Sequence, residues 1–346
     1  MEVNNPVVQN DLKRVVESVE WAPFKNSRIL ITGSTGLIGK WLVWSFLRAD
    51  SEYSLNLTLV LVIRNREKAA ALFGEDDRIE YIVSDINDLD ASAIKADYII
   101  HAASQTNSRA MVEQPVETAM TAINGTLKLL ELSRKTAVRS MVYLSSMEVY
   151  GEVTTEEKIT EDTMGLVNQL NVRSSYPEGK RMCENLCAGY ASEYHVSCKI
   201  ARLAQTFGPG IPLMDNRVFA QFMRSARNRE DIVLHTRGES KRCYLYTADC
   251  VTAILTILLR GEAGRAYNCA NEKTYKSIFE MAKLVASHCA EDRIKVIVED
   301  QDPARFGYPK TNMMNLDASA LEALGWKPQF ELEEMLKNTY DSLEGQ

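Results

Sequence analysis

The sequence predicts an α/β fold in which a doubly wound parallel sheet is combined with a smaller interleaved lobe. Three observations support this prediction. Apolar runs of strand length alternate with helical stretches, two of those runs have no polar face, and a glycine-punctuated turn joins the first run to a helix. Alternation at this spacing is typical of parallel strands covered by helices on both sides, and runs without a polar face are typical of strands buried on both sides.

The predicted elements follow one another at βαβ spacing. Strands are expected at residues 28–32, 57–63, 79–83, 98–101, 140–144 and 196–203. Helices are expected at residues 11–20, 37–48, 115–135 and 177–194. Pro177 suits a first helical turn, where its missing N–H costs no hydrogen bond. The regular alternation loosens after Gly208-Pro209-Gly210, where turns and short elements take over.

Composition excludes several classes of partner. The 346 residues are 45% hydrophobic and 25% charged, which is ordinary for a globular protein, and the net charge of −7 repels nucleic acid. The longest apolar runs are too short to span a bilayer, and no signal peptide is visible, so no membrane association is expected. Seven scattered cysteines without a CxxC pair indicate no disulfide framework and no metal site, and they favour a reducing cytoplasm.

The turn between the first strand and the next helix predicts a dinucleotide site. It reads Thr32-Gly-Ser-Thr-Gly-Leu-Ile-Gly39. Glycines there allow a tight turn and a close approach to a pyrophosphate, whose charge meets the free N–H groups of the helix N-terminus, as in the Rossmann arrangement. The predicted cofactor-binding residues of this turn are Gly33, Thr35, Gly36, Leu37, Ile38 and Gly39.

This turn suggests how the chain is divided. Residues 27–208, with a return at about 241–263, are predicted to form the dinucleotide-binding Rossmann domain. Residues 209–240 and 264–346 are predicted to form a substrate-binding lobe, and residues 1–26 an N-terminal extension.

The end of the second strand bears on the choice between NAD and NADP. An acidic residue there would hold the ribose 2′-hydroxyl of NAD, but the sequence is Ile63-Arg64-Asn65-Arg66. A guanidinium can bind a 2′-phosphate, so Arg64 favours NADP, with NAD as the alternative. Both arginines could equally face solvent or stack on adenine.

A tyrosine and lysine pair is the predicted catalytic centre. Tyr176 and Lys180 are four residues apart and therefore share a helix face. A phenol titrates near ~10, and a neighbouring ammonium and a positive nicotinamide are expected to lower that pKa toward the working range. Ser145, Ser146 and Glu148 follow a buried strand, where ligands of a parallel sheet bind.

The glycine turn, Ser-Ser-Met-Glu-Val-Tyr-Gly151 and the YxxxK pair, in this order and spacing, resemble the extended short-chain dehydrogenase/reductases. Within them the chain resembles the nucleotide-sugar epimerase, dehydratase and decarboxylase group, over about residues 27 to 340. The resemblance implies an NAD(P)-dependent isomerase or lyase that oxidises C4 of a nucleotide-linked sugar transiently. It also implies a homodimer, formed through the helices around 108–135 and 176–194.

The resemblance also implies individual roles. Ser146 corresponds to the hydroxyl that hydrogen-bonds the sugar 4-hydroxyl, Tyr176 to the base that takes its proton, and Lys180 to the residue that also holds the nicotinamide ribose. The residues corresponding to the adenine and ribose contacts are Asp85, Ile86, Ala102, Ala103 and Ser104. For the serines at 145 and 146, capping of the strand end is the alternative interpretation.

The pair Met147-Glu148 separates the possible chemistries without deciding between them. Family 4,6-dehydratases often carry Asp-Glu here, some dehydratases and the glucuronate decarboxylases keep only the Glu, and many 4-epimerases have small residues at both places. Glu148 is therefore expected to act as a base at C5, as a general acid or as a polar wall contact. The leading interpretation is a 4-epimerase or 4,6-dehydratase; the alternatives are a nucleotide-glucuronate decarboxylase, an NADPH-dependent 4-ketosugar reductase and a sensor without chemistry.

Four residues beyond the main strands are predicted to hold the nucleotide-sugar substrate. Gln205 stands where the family usually has an Asn that touches the substrate. Three arginines fall at spacings that resemble the family's diphosphate contacts: Arg217, Arg242 and Arg305. Planar guanidinium forks suit phosphate oxygens, although each arginine alone is more often a solvated surface charge.

Overall fold

The structure, a computed structural model, describes residues 3–212, 214–301 and 312–343. Its centre is a sheet of seven parallel strands in the order β10-β6-β5-β4-β1-β2-β3. The strands are β1 (Arg28–Thr32), β2 (Thr58–Ile63), β3 (Ile79–Val83), β4 (Tyr98–His101), β5 (Ser140–Ser146), β6 (Cys198–Leu203) and β10 (Ala266–Cys269). The order reverses between β1 and β4, and at such a switch point a crevice opens beyond the carboxyl ends of the strands.

Helices cover both faces of this sheet. They are α1 (Pro6–Ser18), α2 (Leu37–Tyr53), α3 (Arg66–Phe73), α4 (Ser108–Glu113), α5 (Pro115–Lys135), α6 (Ser175–Tyr194), α7 (Val218–Asn228), α8 (Thr247–Arg260), α9 (Ile278–Ala290), α10 (Ser319–Glu322) and α11 (Leu332–Asp341). Successive strand residues enter different cores: Ile29 and Ile31 lie in one, while Leu30 lies in the other with residues of α5 and α6. The predicted doubly wound α/β fold is therefore confirmed.

The predicted strands and helices are confirmed with small shifts at their ends. The largest shift is in the N-terminal helix, expected at 11–20 and found at Pro6–Ser18. The side chain of Asn5 accepts a hydrogen bond from the N–H of Val7 (3.0 Å) and Pro6 opens the first turn, so these two residues fix the helix start. The helix that was expected at 37–48 continues to Tyr53.

The N-terminal segment packs into the main core. Leu12, Val15 and Val16 of α1 are buried, and the helix contacts α2 and α8. Its buried Asp11 accepts a hydrogen bond from the hydroxyl of Tyr246 (2.6 Å). At the other end of the chain, Arg14 of α1 donates to the carbonyl of Gln329 (2.7 Å) and to Glu334 (2.6 Å). Residues 3–18 are thus integrated into the fold.

The remaining strands form two small sheets. β7 (Gln205–Phe207), β9 (Lys241–Tyr246), β11 (Asn271–Ser277) and β13 (Met313–Met314) make one, and β8 (Ile232–Leu234) and β12 (Val296–Val298) make the other. The expected return to the main sheet at about 241–263 needs a correction in detail. Its helix α8 packs against β5 and β6, but the strand that joins the sheet is β10, within the segment that was assigned to the second lobe.

Candidate active site

The glycine turn after β1 is closed against the end of β4. Gly33 has φ +68°, and a Cβ there would lie 2.7 Å from the backbone of Ala102 and Ala103. The N–H of Ala103 donates to the hydroxyl of Thr32 (3.1 Å), which ties the two strand ends together. Because both the conformation and the close approach exclude a side chain, residue 33 must be glycine.

The helix that follows this turn has a free N-terminus. Gly36 is the N-cap of α2, no side chain caps the helix, and its first turn contains no acidic residue. The unpaired N–H groups and the helix dipole therefore remain available to an anion. Ser34 adds a buried hydroxyl without a hydrogen-bond partner among the described residues. These features fit the pyrophosphate of a dinucleotide.

The two arginines after β2 differ in their surroundings. Arg66 stacks on the ring of Tyr81 (3.9 Å) and pairs with Glu75 (3.0 Å), so it is engaged within the protein. The side chain of Arg64 is 82% exposed and lies 3.9 Å from the carboxylate of Asp85. Asp85 itself caps the turn after β3, accepting from the N–H of Asn87 (2.9 Å). Arg64 is consequently the arginine that is accessible to a bound nucleotide.

The four predicted catalytic residues lie together at the end of β5. Lys180 is buried and donates to the carbonyl of Leu144 (2.6 Å), and its Nζ lies 5.7 Å from the ring centroid of Tyr176. Tyr176, at the start of α6, lies close enough to Ser146 for the serine hydroxyl to oppose the rise in its pKa. Ser146 also accepts from the N–H of Glu148 (3.2 Å), which fixes the turn that carries the carboxylate.

Burial has the largest effect on the titration of this pair in the protein alone. Burial, together with the charge of Glu148, raises the pKa of Tyr176 to about 12, although the hydroxyl of Ser146 and the charges of Arg173 and Arg217 oppose the rise. Burial also lowers the pKa of Lys180 to about 8. In the protein alone the desolvation of the phenolate is the larger effect, so the lowering expected from Lys180 and a positive nicotinamide stays a prediction for the cofactor complex.

An arginine that the sequence reasoning missed completes this cluster. Nη2 of Arg173 donates to both carboxylate oxygens of Glu148, at 3.1 and 2.9 Å, and its guanidinium carbon lies 5.8 Å from the ring centroid of Tyr176. Arg173 stands in a short 3₁₀ turn just before α6, capped by the side chain of Asn171. Its spacing of three residues from Tyr176 was the available signal, since residues at that spacing lie on one side of a helical segment.

Ser145 has different surroundings from Ser146. Its hydroxyl is buried and donates to Glu184 of α6 (2.5 Å). Glu184 in turn forms a buried ion pair with Arg202 (2.7 Å). Successive residues of a strand point to opposite faces, so the side chains of Ser146 and Ser145 lie on opposite faces of β5. Ser145 belongs to the polar network behind Ser146, and its predicted substrate contact stays a prediction.

The predicted substrate arginines have different partners. Pairing of β7 with β9 brings Nη1 of Arg242 to the side-chain oxygen of Gln205 (2.7 Å), and the buried Nε of Arg242 has no partner in the described part of the chain. Arg217 pairs with Asp215 (2.7 Å) and donates to the carbonyl of Thr206 (3.1 Å). Arg305 lies outside the described residues. The structure thus unites Gln205 with Arg242 and leaves Arg217 partly neutralised.

Three further observations concern the whole described chain. Residues 3–212, 214–301 and 312–343 contain no group of three or more His, Cys, Asp or Glu side chains arranged to hold a metal ion. In the same residues, no helix combines the length and the apolar character needed to cross a bilayer. All seven cysteines are buried and none forms a disulfide.

Comparison with known proteins gives consistent matches. Residues 29–270 match the sequence profile of the NAD dependent epimerase/dehydratase family. UDP-glucuronic acid decarboxylase 1 of Xenopus tropicalis is 29% identical over 90% of this chain and 71% of its own length. UDP-glucuronic acid decarboxylase 3 of Arabidopsis thaliana is 30% identical over 90% and 87%. The crystal structure of a Thermotoga maritima UDP-glucose 4-epimerase has the same fold, with a TM-score of 0.77, 23% identity and coverage of 92% and 98%.

Proposed function

Because this chain belongs to the NAD dependent epimerase/dehydratase family, we propose that it modifies a nucleotide-linked sugar by oxidising its C4 hydroxyl transiently, so that the cofactor is recycled. The membership also confirms the resemblance to the extended short-chain dehydrogenase/reductases. The observation that supports the proposal most directly is the grouping of Tyr176, Ser146 and Lys180 at the carboxyl end of β5, in the same parallel sheet as the strand that precedes the glycine turn. Binding alone would need no phenol and buried ammonium at this point.

The proposed roles follow from the chemistry of these side chains. A bound nicotinamide supplies the acceptor for the hydride that leaves C4. Tyr176 takes the proton of the 4-hydroxyl as the C4–H bond breaks and the carbonyl forms, and it returns the proton in the reverse step. Ser146 holds the same hydroxyl in place. The buried Lys180 is bonded to the carbonyl of Leu144 and keeps its charge near the phenol.

Tyr176 is a poor base in the protein without its cofactor. With a pKa of about 12, the phenolate makes up roughly 10⁻⁵ of the population at pH 7. Bringing that pKa to 7 would take about 7 kcal/mol of favourable electrostatics beyond what the protein alone provides, which a bound positive nicotinamide would have to supply. Lys180, with a pKa of about 8, is still mostly charged at neutral pH. We therefore expect activity to depend on cofactor binding before proton transfer.

Glu148 determines the chemistry at C5 and C6 once C4 is oxidised. Epimerisation at C4 needs no group there, whereas 4,6-dehydration needs a base for the C5 proton and decarboxylation needs an acid that returns a proton to C5. Met147 precedes the Glu where dehydratases often have an Asp. Decarboxylation of a nucleotide-glucuronate is the second candidate, supported by the relatives that are UDP-glucuronic acid decarboxylases.

The proposal is tested by incubating the NAD- or NADP-loaded protein with a panel of UDP-, dTDP-, GDP- and CDP-sugars. Loss of water identifies a dehydratase, loss of carbon dioxide a decarboxylase, and a new sugar of unchanged mass an epimerase. Stoichiometric oxidation of NADPH would instead identify a 4-ketosugar reductase. Tyr176→Phe should lower turnover by about 10² or more and leave dinucleotide affinity intact. Tyr194→Phe, at the exposed end of the same helix, is the matched control.

The choice between NAD and NADP depends on Arg64 in this proposal. Its exposed side chain can reach a 2′-phosphate, and no acidic residue directly follows β2, so NADP remains favoured. The neighbouring Asp85 works in the other direction, since its carboxylate is a partner for Arg64 and would repel a phosphate. Titrating both dinucleotides against the wild type and Arg64→Ala decides the point: loss of NADP affinity alone in the variant supports the assignment, and equal affinities throughout contradict it.

We propose that the cofactor and the substrate bind to the segments that the sequence predicts for them. Residues 27–208 would hold the dinucleotide, and residues 209–240 and 264–346 would hold the nucleotide-sugar. Gln205 and Arg242, which lie outside the two substrate segments, would contact its diphosphate from the neighbouring β7 and β9. The buried free thiols support a reducing compartment, and the cytoplasm remains the expected location.

A homodimer is proposed through α5 and α6. These helices pack against each other and leave the apolar side chains of Val116, Met120, Leu127 and Met182 exposed. An exposed apolar face of this kind favours a second copy as partner. Met120→Glu should convert a dimer to a monomer in light scattering, while Tyr53→Glu on α2 should not. A wild-type protein that is monomeric at micromolar concentration would contradict the proposal.

A further inference from the structure

We infer that Arg173 selects nucleotide sugars that carry a carboxylate on C6, so that the substrate class of this site is a nucleotide-uronate. The inference rests on the proposed oxidation at C4. If the 4-hydroxyl is held by Tyr176 and Ser146, C6 is only two bonds from C4. The C6 substituent therefore lies in the immediate surroundings of Tyr176, where the guanidinium of Arg173 is found 5.8 Å from the tyrosine ring.

The guanidinium of Arg173 has N–H donors that form no hydrogen bond within the described residues. Only its Nη2 is used, on the two carboxylate oxygens of Glu148. Its Nε and Nη1, which carry three of the five N–H donors, make no hydrogen bond within the described residues. The side chain is about one-third exposed, at 33%, so a ligand can reach it. A second carboxylate can consequently bind Arg173 without displacing the first.

The charges of Glu148 and Arg173 also favour a carboxylated sugar. Glu148 alone would repel a carboxylated sugar, just as its charge disfavours the phenolate of Tyr176. Arg173 neutralises Glu148, and the charge of Arg217 also reaches Tyr176. A neutral hydroxymethyl group gains only an ordinary hydrogen bond from such a site, whereas a carboxylate gains a charge-assisted one. The arrangement thus discriminates by charge at C6.

The position of the pair favours this role over a purely structural one. The side chains of Arg173 and Glu148 are 33% and 37% exposed beside the predicted base. In the ion pair of Arg202 and Glu184 behind the site, only 13% and 10% of the side chains are exposed. An exposed pair contributes little to stability. Arg173 is therefore a specificity-determining residue in this inference, and Glu148 is the carboxylate that holds its guanidinium in place.

The test compares ligands that differ only at C6. Binding of UDP-glucuronic acid and UDP-glucose, and of the corresponding dTDP pair, is measured by calorimetry on the NAD-loaded wild type, Arg173→Gln and Arg173→Lys. The wild type should prefer the uronate at least about tenfold. Arg173→Gln should remove that preference, and Arg173→Lys should restore part of it. Arg109→Gln, an exposed arginine on α4, should behave as the wild type.

The possible outcomes separate the inference from the proposal on which it rests. Equal affinity of the wild type for the uronate and the neutral sugar, or an equal loss for both ligands in Arg173→Gln, would overturn the selection of a carboxylate. Absence of binding for every nucleotide sugar, while NAD or NADP still binds, would instead overturn the proposed function. A folded variant is verified by its unchanged dinucleotide affinity.

Discussion

Replacement of Asp11 by Asn should make the protein more stable at alkaline pH and flatten the dependence of its stability on pH. Asp11 is fully buried on α1, and its Oδ2 accepts from Tyr246 while its Oδ1 has no partner among the described residues. Burial raises its pKa to about 7; the hydrogen bond from Tyr246 and the charge of Arg14 oppose the rise, and the charge of Glu334 adds to it. The carboxyl group is thus protonated in the fold well above its ordinary range.

The size of the effect follows from proton linkage. In the unfolded chain the group titrates at its ordinary value of 3.8, so between that pH and 7 the folded state binds the extra proton. The free energy of unfolding therefore falls as the pH rises through this window. Compared with a protein that has a permanently neutral group at this position, the wild type should be less stable by about 2 kcal/mol at pH 5 and by on the order of 4 kcal/mol at pH 8. Asn is such a group, so its advantage should grow by about 2–3 kcal/mol from pH 5 to pH 8.

Urea unfolding of the wild type and of Asp11→Asn at pH 5, 6, 7 and 8 measures this difference directly. Carboxyl groups remote from Asp11 titrate equally in both proteins and cancel in the subtraction. Asp249 is coupled to Asp11: burial raises its pKa to about 7, and the charge of Asp11 adds to the rise, so the difference reports residue 11 together with this smaller coupling. Tyr246→Phe, which removes the hydrogen bond to Asp11, should steepen the loss of stability toward alkaline pH. Two parallel stability curves for the wild type and Asp11→Asn would refute the reasoning, because they would mean that Asp11 is ionised in the fold throughout.

Three further changes test the site and its support. Gly33→Ala should abolish dinucleotide binding in calorimetry, since a Cβ would lie 2.7 Å from the backbone of the neighbouring strand end, while Gly189→Ala, with open space around it, should bind normally. Glu184→Ala leaves a buried arginine unpaired and should cost about 3–5 kcal/mol in urea unfolding, against about 1 kcal/mol or less for Glu131→Ala, whose side chain is partly exposed. Arg242→Ala should weaken binding of a UDP-sugar by about 10- to 100-fold and leave dinucleotide affinity unchanged, and an equal loss of both would contradict the role in substrate binding.

The main sheet could be predicted from the sequence because its signals are local. Continuous apolar runs such as residues 58–63 specify a strand buried on both faces, and the glycine turn follows β1 immediately. The last strand, β10, escaped prediction because Ala-Tyr-Asn-Cys is short and contains a buried polar residue, Asn268. Asn268 is tolerated there because its side chain donates to the carbonyls of Ile159 and Asp317, partners that only the tertiary fold supplies.

The candidate site was predictable in its residues and less so in its electrostatics. Tyr176 and Lys180 carry a recognisable spacing, but their pKa values depend on burial, which the helix pattern does not reveal. Ser145 and Ser146 look equivalent in the sequence. Their side chains leave β5 on opposite faces, so that Ser146 lies near Tyr176 and Ser145 donates to Glu184. Arg173 has no strand or motif of its own; its spacing from Tyr176 indicated only a shared side of a helical segment, and the structure adds its contact with Glu148.

The contacts of α1 with the far end of the sequence bear on how the protein is made. Arg14 meets Gln329 and Glu334, more than 300 positions away, so a ribosome finishes these partners long after α1 has emerged. Until then the apolar side of α1 has only part of its final surroundings, and such a nascent chain is open to chaperones and to aggregation. We expect completion of the native state to wait for release of the last helix, and a nascent chain halted before residue 329 to remain sensitive to proteases within its first twenty residues.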